Sequence, residues 1–96
     1  MVLELSTRSK FPDHVVKDIV KVALRHEAEI ARFRYEQFAK DCELFEQRFR
    51  MKTDEFLKRY DAGDLGDAEE YLDWFASARG REVWRQKAEV LDGVAL

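Results

Sequence analysis

The chain has 96 residues, of which 39% are charged and 46% hydrophobic, and its formal net charge is −3. This length fits one small domain, and the composition favours a helical protein over a disordered chain or a β-sandwich. No apolar run approaches the roughly 20 residues that span a bilayer, and the N-terminus lacks the apolar region of a signal peptide. The single Cys42 cannot form an internal disulfide, so we expect a cytoplasmic protein.

The N-terminal half predicts a short arm followed by one long helix. Residues 1–10 form either a flexible arm or a short strand, because the apolar stretch after the first residue is too short to decide. Pro12 and Asp13 are typical of the first turn of a helix. Residues 13–50 contain no Gly or Pro after that turn. They predict a helix about 55 Å long at a rise of about 1.5 Å per residue.

Apolar residues lie on two faces of this predicted helix. The first face, here called the seam, alternates spacings of four and three residues as in a packed helix pair. The seam consists of Leu24, Ala28, Ala31, Tyr35, Phe38, Cys42, Phe45 and Phe49. The second face lies roughly 150° away at about 100° per residue, and it consists of Ile30, Phe33, Leu44 and Met51. A chain this short has limited material to cover both faces, so we expect another chain to complete at least one aromatic cluster.

The segment after the long helix is short and acidic. Thr53 is predicted to cap a helix over residues 53–60, which Gly63 closes in the left-handed conformation. Residues 54–73 hold eight carboxylates against one Lys and one Arg. Such a segment repels phosphate and attracts a basic surface. We therefore expect no direct nucleic-acid partner.

The last predicted helix covers residues 68–91. Asp67 and Glu70 have the spacing of a capping box at its start. Its apolar positions change face around Gly80, which indicates a kink or a close backbone approach. The predicted fold class is all-α, in a single domain. One long N-terminal helix is followed by a short helix and a third helix that folds back as an open helical hairpin.

No residue pattern indicates catalysis or metal binding. His14 and His26 stand in no HExxH or Glu-x-x-His pattern. Cys42 has acidic neighbours on both sides, which disfavours a reactive thiolate, so we interpret it as a core residue. The loop over residues 61–67 fails the EF-hand pattern, because Gly and Leu occupy two ligand positions. We predict no catalytic, cofactor-binding or metal-binding residue, and an enzyme or metal-binding protein is the weakest alternative.

Residues 51–75 carry three features in a distinctive order. The stretch MKTDEFLKRYDAGDLGDAEEYLDWF contains a Met-x-Thr-x-Glu-Phe element, a Gly-x-Leu-Gly-Asp turn and an acidic-aromatic helix. It resembles small helical antitoxin components of bacterial and archaeal two-gene toxin–antitoxin modules, and the likeness covers residues 43–92. The resemblance implies a protein that wraps a toxin-like partner and blocks it, and it carries over no catalytic residue. It does not extend to antitoxins with a DNA-binding N-terminal module.

These observations predict a non-enzymatic protein-binding module, in the form of an antitoxin-like inhibitor that neutralises a partner protein. The alternative is a structural, coiled-coil-like homo-oligomer in which the seam pairs with its own copy. An adjacent gene for a small nuclease-like or nucleotidyltransferase-like protein would favour the inhibitor. The residues predicted to contact a partner are Phe33, Tyr35, Phe38, Phe45, Phe49, Asp64, Glu69, Asp73, Trp74 and Trp84.

Overall fold

The computed structural model describes residues 2–96 and consists of three α-helices. They are α1 (Asp13–Phe49), α2 (Thr53–Ala62) and α3 (Glu69–Asp92). The molecule is elongated, with extents of 60 × 22 × 19 Å, because α1 sets its length. The all-α prediction is confirmed: α3 folds back antiparallel along α1, and α2 lies at the closed end of this hairpin.

The seam of α1 packs against α3 of the same chain. Ala28, Ala31 and Cys42 are buried, and the remaining seam residues are half-buried. The buried residues of α3 are Trp74, Ala78 and Ala88. Near the open end of the hairpin, an ion pair of 2.8 Å joins Nη1 of Arg32 to Oδ1 of Asp92. The seam that the homo-oligomer alternative required is therefore covered within one chain.

Gly80 of α3 lies directly against the ring of Phe38 on α1. A Cβ atom at this position would lie 2.8 Å from the ring of Phe38, closer than carbon atoms can approach. The predicted close backbone approach is confirmed, and α3 continues as a helix through this glycine. The absence of a side chain at residue 80 makes room for the aromatic ring on α1.

Aromatic rings fill the closed end of the hairpin. Phe56 of α2 and Trp74 of α3 are both fully buried, and their rings stack with centroids 4.0 Å apart and an interplanar angle of 6°. Phe45 and Phe49 of α1 stack against the same indole at 5.7 and 5.6 Å. Offset aromatic stacking of this kind adds to the free energy gained by removing the rings from water. These rings join all three helices.

The predicted helix caps are partly wrong. Gly63 does close α2 in the left-handed conformation, with φ of 73°. Thr53, however, is the first residue of α2 and not its cap, because its hydroxyl accepts a hydrogen bond from Nε1 of Trp74 instead. Asp67 does not cap α3, which begins after Ala68 without a side-chain cap.

Glu70 is also used differently from the prediction. Its Oε1 pairs with Nη2 of Arg48 at 2.7 Å, so it ties α3 to α1 and does not complete a capping box. At the other end of the molecule, the N–H of Leu3 donates to the carbonyl of Ala95 at 2.9 Å, and Val2 forms an isolated parallel bridge with the same residue. The N-terminal arm thus reaches the end of α3, although Met1 of the predicted arm lies outside the described residues.

Candidate protein-binding surface

A row of mainly apolar side chains runs along the face of α1 opposite the seam, and at its C-terminal end Leu44 borders a groove shared with Ala76 and Ser77 of α3. We call this row the outer stripe. From Val15 to Gln37 its members recur every three or four residues, and Leu44 follows seven residues later on the same face of the helix. The apolar members are Val15, Ile19, Val22, Ile30, Phe33 and Leu44, and the polar His26 and Gln37 lie between them. Four large apolar side chains of the stripe are mostly exposed: Ile19 (66%), Val22 (60%), Phe33 (61%) and Leu44 (64%). Single exposed apolar residues are ordinary, but several of them on one face of a helix are typical of an interaction site.

The outer stripe was only partly visible in the sequence. The second predicted face included Ile30, Phe33 and Leu44, which do lie on it, and missed Val15, Ile19 and Val22. The signal that could have found them is the spacing of four and three residues that leads from Val15 to His26. Met51 was wrongly included, because α1 ends at Phe49 and Met51 packs against the aromatic core.

The N-terminal end of α1 extends beyond the reach of α3. The ion pair between Arg32 and Asp92 marks the last turn of α3, and the residues after it line a cleft beside Leu24. Further toward the N-terminus, the arm replaces α3 as the neighbour of α1. Phe11 lines an apolar groove there together with Ser9 of the arm and with Val15, Val16, Ile19 and Val20 of α1. The arm therefore borders the outer stripe at Val15 and Ile19; Val15 is half-buried there, and Ile19 remains 66% exposed.

Most of the aromatic residues predicted to bind a partner are engaged within the chain. Phe45, Phe49 and Trp74 belong to the core at the closed end, and Phe38 packs at Gly80. Tyr35 is a half-buried residue of the seam. The aromatic cluster at the closed end is therefore built by the three helices of one chain, and the expectation that another chain completes at least one aromatic cluster gains no support from it.

Trp84 is held between two cations. The guanidinium carbon of Arg34 lies 5.1 Å from the centroid of its ring, and Nζ of Lys87 lies 5.0 Å from it. Both contacts are within the range of cation–π attraction, which is modest for exposed groups. Trp84 is half-buried, so the two cations occupy part of the surface that a partner would need. Phe33 is the one predicted aromatic contact that projects freely from the hairpin.

The three predicted acidic contacts surround the start of α3. Asp64 lies in the loop after α2, Glu69 is the first residue of α3, and Asp73 lies one turn later. All three are exposed, and none makes an ion pair within residues 2–96. We call this region the acidic end of the molecule. Its carboxylates are open to a basic surface.

The polar groups in the core have structural partners. The backbone N–H of Thr53 donates to Oε2 of Glu46 at 2.8 Å, and the hydroxyl of Thr53 accepts from Trp74 at 3.1 Å. Burial raises the pKa of the Cys42 thiol, although the charge of Arg81 and a hydrogen bond with Thr53 act in the opposite direction. A thiol that is buried and held in its neutral form is a poor nucleophile. The interpretation of Cys42 as a core residue is confirmed.

Within residues 2–96, the candidate catalytic and metal-binding side chains do not come together. His14 and His26 are both exposed and far from each other along α1. Across residues 2–96, no three His, Cys, Asp or Glu side chains lie close enough together to hold a metal ion. None of the three helices has an apolar stretch long enough to cross a bilayer.

Comparison with known proteins adds no relative. Models of protein families, curated proteins and solved structures all fail to match this chain. The two surfaces described above, the outer stripe of α1 and the acidic end, are the features of the molecule that bear on its function.

Proposed function

We propose that this protein is a non-enzymatic protein-binding module and that the outer stripe of α1 is its main binding surface. The observation that supports this most directly is the exposure of Ile19, Val22, Phe33 and Leu44 along one helix face, while the seam on the opposite face packs against α3. An amphipathic helix that offers residues at spacings of three and four is a common way to enter a partner's groove.

The favoured form of this function is an antitoxin-like inhibitor. The resemblance of residues 43–92 to small helical antitoxins supports it, and so does the chemistry of the acidic end. A toxin that acts on RNA, DNA or a nucleotide has a basic site for phosphate. The carboxylates of Asp64, Glu69 and Asp73 have no cation within the described chain, so they can substitute for phosphate charge at such a site.

The first test measures binding to the product of an adjacent gene. Phe33→Ser and Leu44→Ser remove apolar groups from the outer stripe. Each should weaken binding roughly 30-fold, since burying such a side chain contributes about 2 kcal/mol. Val83→Ser is the matched control, because Val83 is 56% exposed on the side of α3 turned away from α1. Equal affinities for all three variants would mean that the outer stripe is not the binding surface.

The second test addresses the acidic end. The triple variant Asp64→Asn, Glu69→Gln, Asp73→Asn should associate more slowly with a basic partner and show a flatter dependence of the association rate on salt. Charges of this kind act mainly on the encounter and are screened over about 8 Å at physiological ionic strength. Rates measured at two salt concentrations provide the comparison. An unchanged rate at low salt would remove the acidic end from the proposal and leave the outer stripe as the binding surface.

A further inference from the structure

The N-terminal half of the outer stripe is complementary to itself. We infer that two copies of this chain pair through Val15–His26 of α1 in antiparallel orientation, about a twofold axis between Val20 and Lys21. The inference deepens the proposed function, because it names a second copy as the occupant of this half of the binding surface. Closed twofold pairing of one surface with itself is the commonest way in which soluble proteins associate.

The apolar residues match in one register. When the axis passes between Val20 and Lys21, Ile19 of each copy faces Val22 of the other, and Val15 faces His26. Ile19 and Val22 are 66% and 60% exposed, respectively, with the arm in place. Each is therefore available to a second helix without any change in the hairpin. The central contact consists of two Ile–Val pairs, which is the arrangement of an antiparallel coiled coil.

The charges on one flank of the stripe support the same register. Asp18 and Arg25 are seven residues apart, so they lie on the same side of α1. Both are exposed, and neither forms an ion pair in the described part of the chain. In the antiparallel register, Asp18 of each copy lies beside Arg25 of the other, which gives two symmetric ion pairs.

The uncharged flank of the stripe and the mismatches of a parallel pair also favour the antiparallel orientation. The flank next to the arm carries Val16 and Ala23, which face each other across the antiparallel pair and bring no charge into the contact. In a parallel pair, the charged flank of one helix meets the other flank of its partner. Asp18 would then face Ala23, and Arg25 would face Ile30, so both charges would lie against apolar groups. The charge pattern thus selects the antiparallel orientation.

The pairing is expected to be weak. The matched segment is 12 residues long, about 18 Å at 1.5 Å per residue. Such a contact buries less surface than the roughly 1,200 Å² of a stable interface, so we expect a dissociation constant on the order of tens of micromolar. A self-association this weak leaves the surface accessible to a tighter partner at low concentration.

Sedimentation equilibrium from 10 to 500 µM tests the inference. The mass should rise from that of the 11.4 kDa monomer toward that of a dimer over this range. Val22→Glu should leave the protein monomeric at all these concentrations, because it places two carboxylates in the apolar contact. Val83→Glu is the matched control on α3 and should dimerise as the wild type does. A wild-type protein that is monomeric at 500 µM, or equal behaviour of the two variants, would overturn the inference.

A charge exchange tests the orientation. Asp18→Arg alone and Arg25→Asp alone should each weaken dimerisation about tenfold, since each replaces two attractive contacts by repulsive ones. The double variant Asp18→Arg, Arg25→Asp should recover the wild-type dissociation constant. Failure of the exchange to rescue would exclude the antiparallel register. If the wild-type protein does not dimerise but Phe33→Ser still weakens binding to the adjacent gene product, only this inference fails and the proposed function stands.

Discussion

Thr53 offers the sharpest test of how the three helices are held together. Its side chain is 1% exposed, and its hydroxyl accepts a hydrogen bond from Nε1 of Trp74, which is fully buried. Replacing Thr53 by Val keeps the shape of the side chain and removes the acceptor. The indole N–H then loses the one hydrogen bond that it makes within residues 2–96.

The expected cost follows from that unpaired donor. Leaving a buried N–H without its hydrogen bond costs about 1–3 kcal/mol. A domain of this size loses roughly 4–8 °C of melting temperature for each kcal/mol. Thr53→Val should therefore lower the melting temperature by about 5–20 °C. Thr53→Ser is the matched control, because it keeps the hydroxyl and loses only a methyl group, at about 1 kcal/mol or less.

Urea unfolding followed by far-UV circular dichroism measures both variants against the wild type. A double-mutant cycle with Trp74→Phe isolates the hydrogen bond, since Phe has no N–H to leave unpaired. In the Trp74→Phe background, Thr53→Val should cost much less than it does alone. The reasoning is refuted if Thr53→Val is as stable as the wild type, or if its cost is the same in both backgrounds.

Two further predictions concern contacts that side chains of α1 make with other parts of the chain. Gly80→Ala should destabilise the protein by about 1 kcal/mol or more, because the added Cβ meets the ring of Phe38, although Ala has the better helix propensity. In a Phe38→Leu background, thermal melts should show that this cost falls or changes sign. Partial burial raises the pKa of Glu46, but the hydrogen bonds from Thr53 and the charges of Lys52 and Arg81 outweigh it and hold that pKa below its ordinary value. The stability this carboxylate contributes is complete above its unfolded-state pKa, near 4.5, and is lost as the pH falls through its lower folded-state pKa. Glu46→Gln should flatten this acid limb in melts from pH 6 to pH 3, and an unchanged acid limb would contradict the assignment.

The helices themselves could be read from the sequence. The long helix follows from the absence of Gly and Pro between Asp13 and Arg50, and the left-handed closure of α2 follows from Gly63. Both depend on local backbone preferences. The close approach at Gly80 was also predicted, because glycine within a helix is costly unless it makes room for something. The predicted boundaries lie within two residues of the observed ones.

The caps could not be predicted in the same way. Thr53 and Glu70 have the spacing of capping residues, but each found a stronger partner on another helix, Trp74 and Arg48 respectively. A side chain that caps locally gains about 1 kcal/mol, and a buried indole that lacks an acceptor costs at least as much. Whether such a side chain caps its own helix or bonds to another helix depends on how the helices pack, which cannot be read from spacing along the chain.

The sequence by itself determined that α1 has two apolar faces and that a chain of this length covers only one of them well. It could not determine which face is covered, because both have helical spacing and both include large apolar side chains. The tertiary structure decided this through α3, which buries small residues along the seam: Ala78 of α3 lies in one cluster with Cys42, and Ala88 of α3 is buried, as are Ala28 and Ala31 of the seam. Close packing of small residues brings the helices near enough for the aromatic rings at the closed end to stack. The face that carries Ile19, Val22 and Phe33 is left exposed, and it is the surface on which the proposed binding depends.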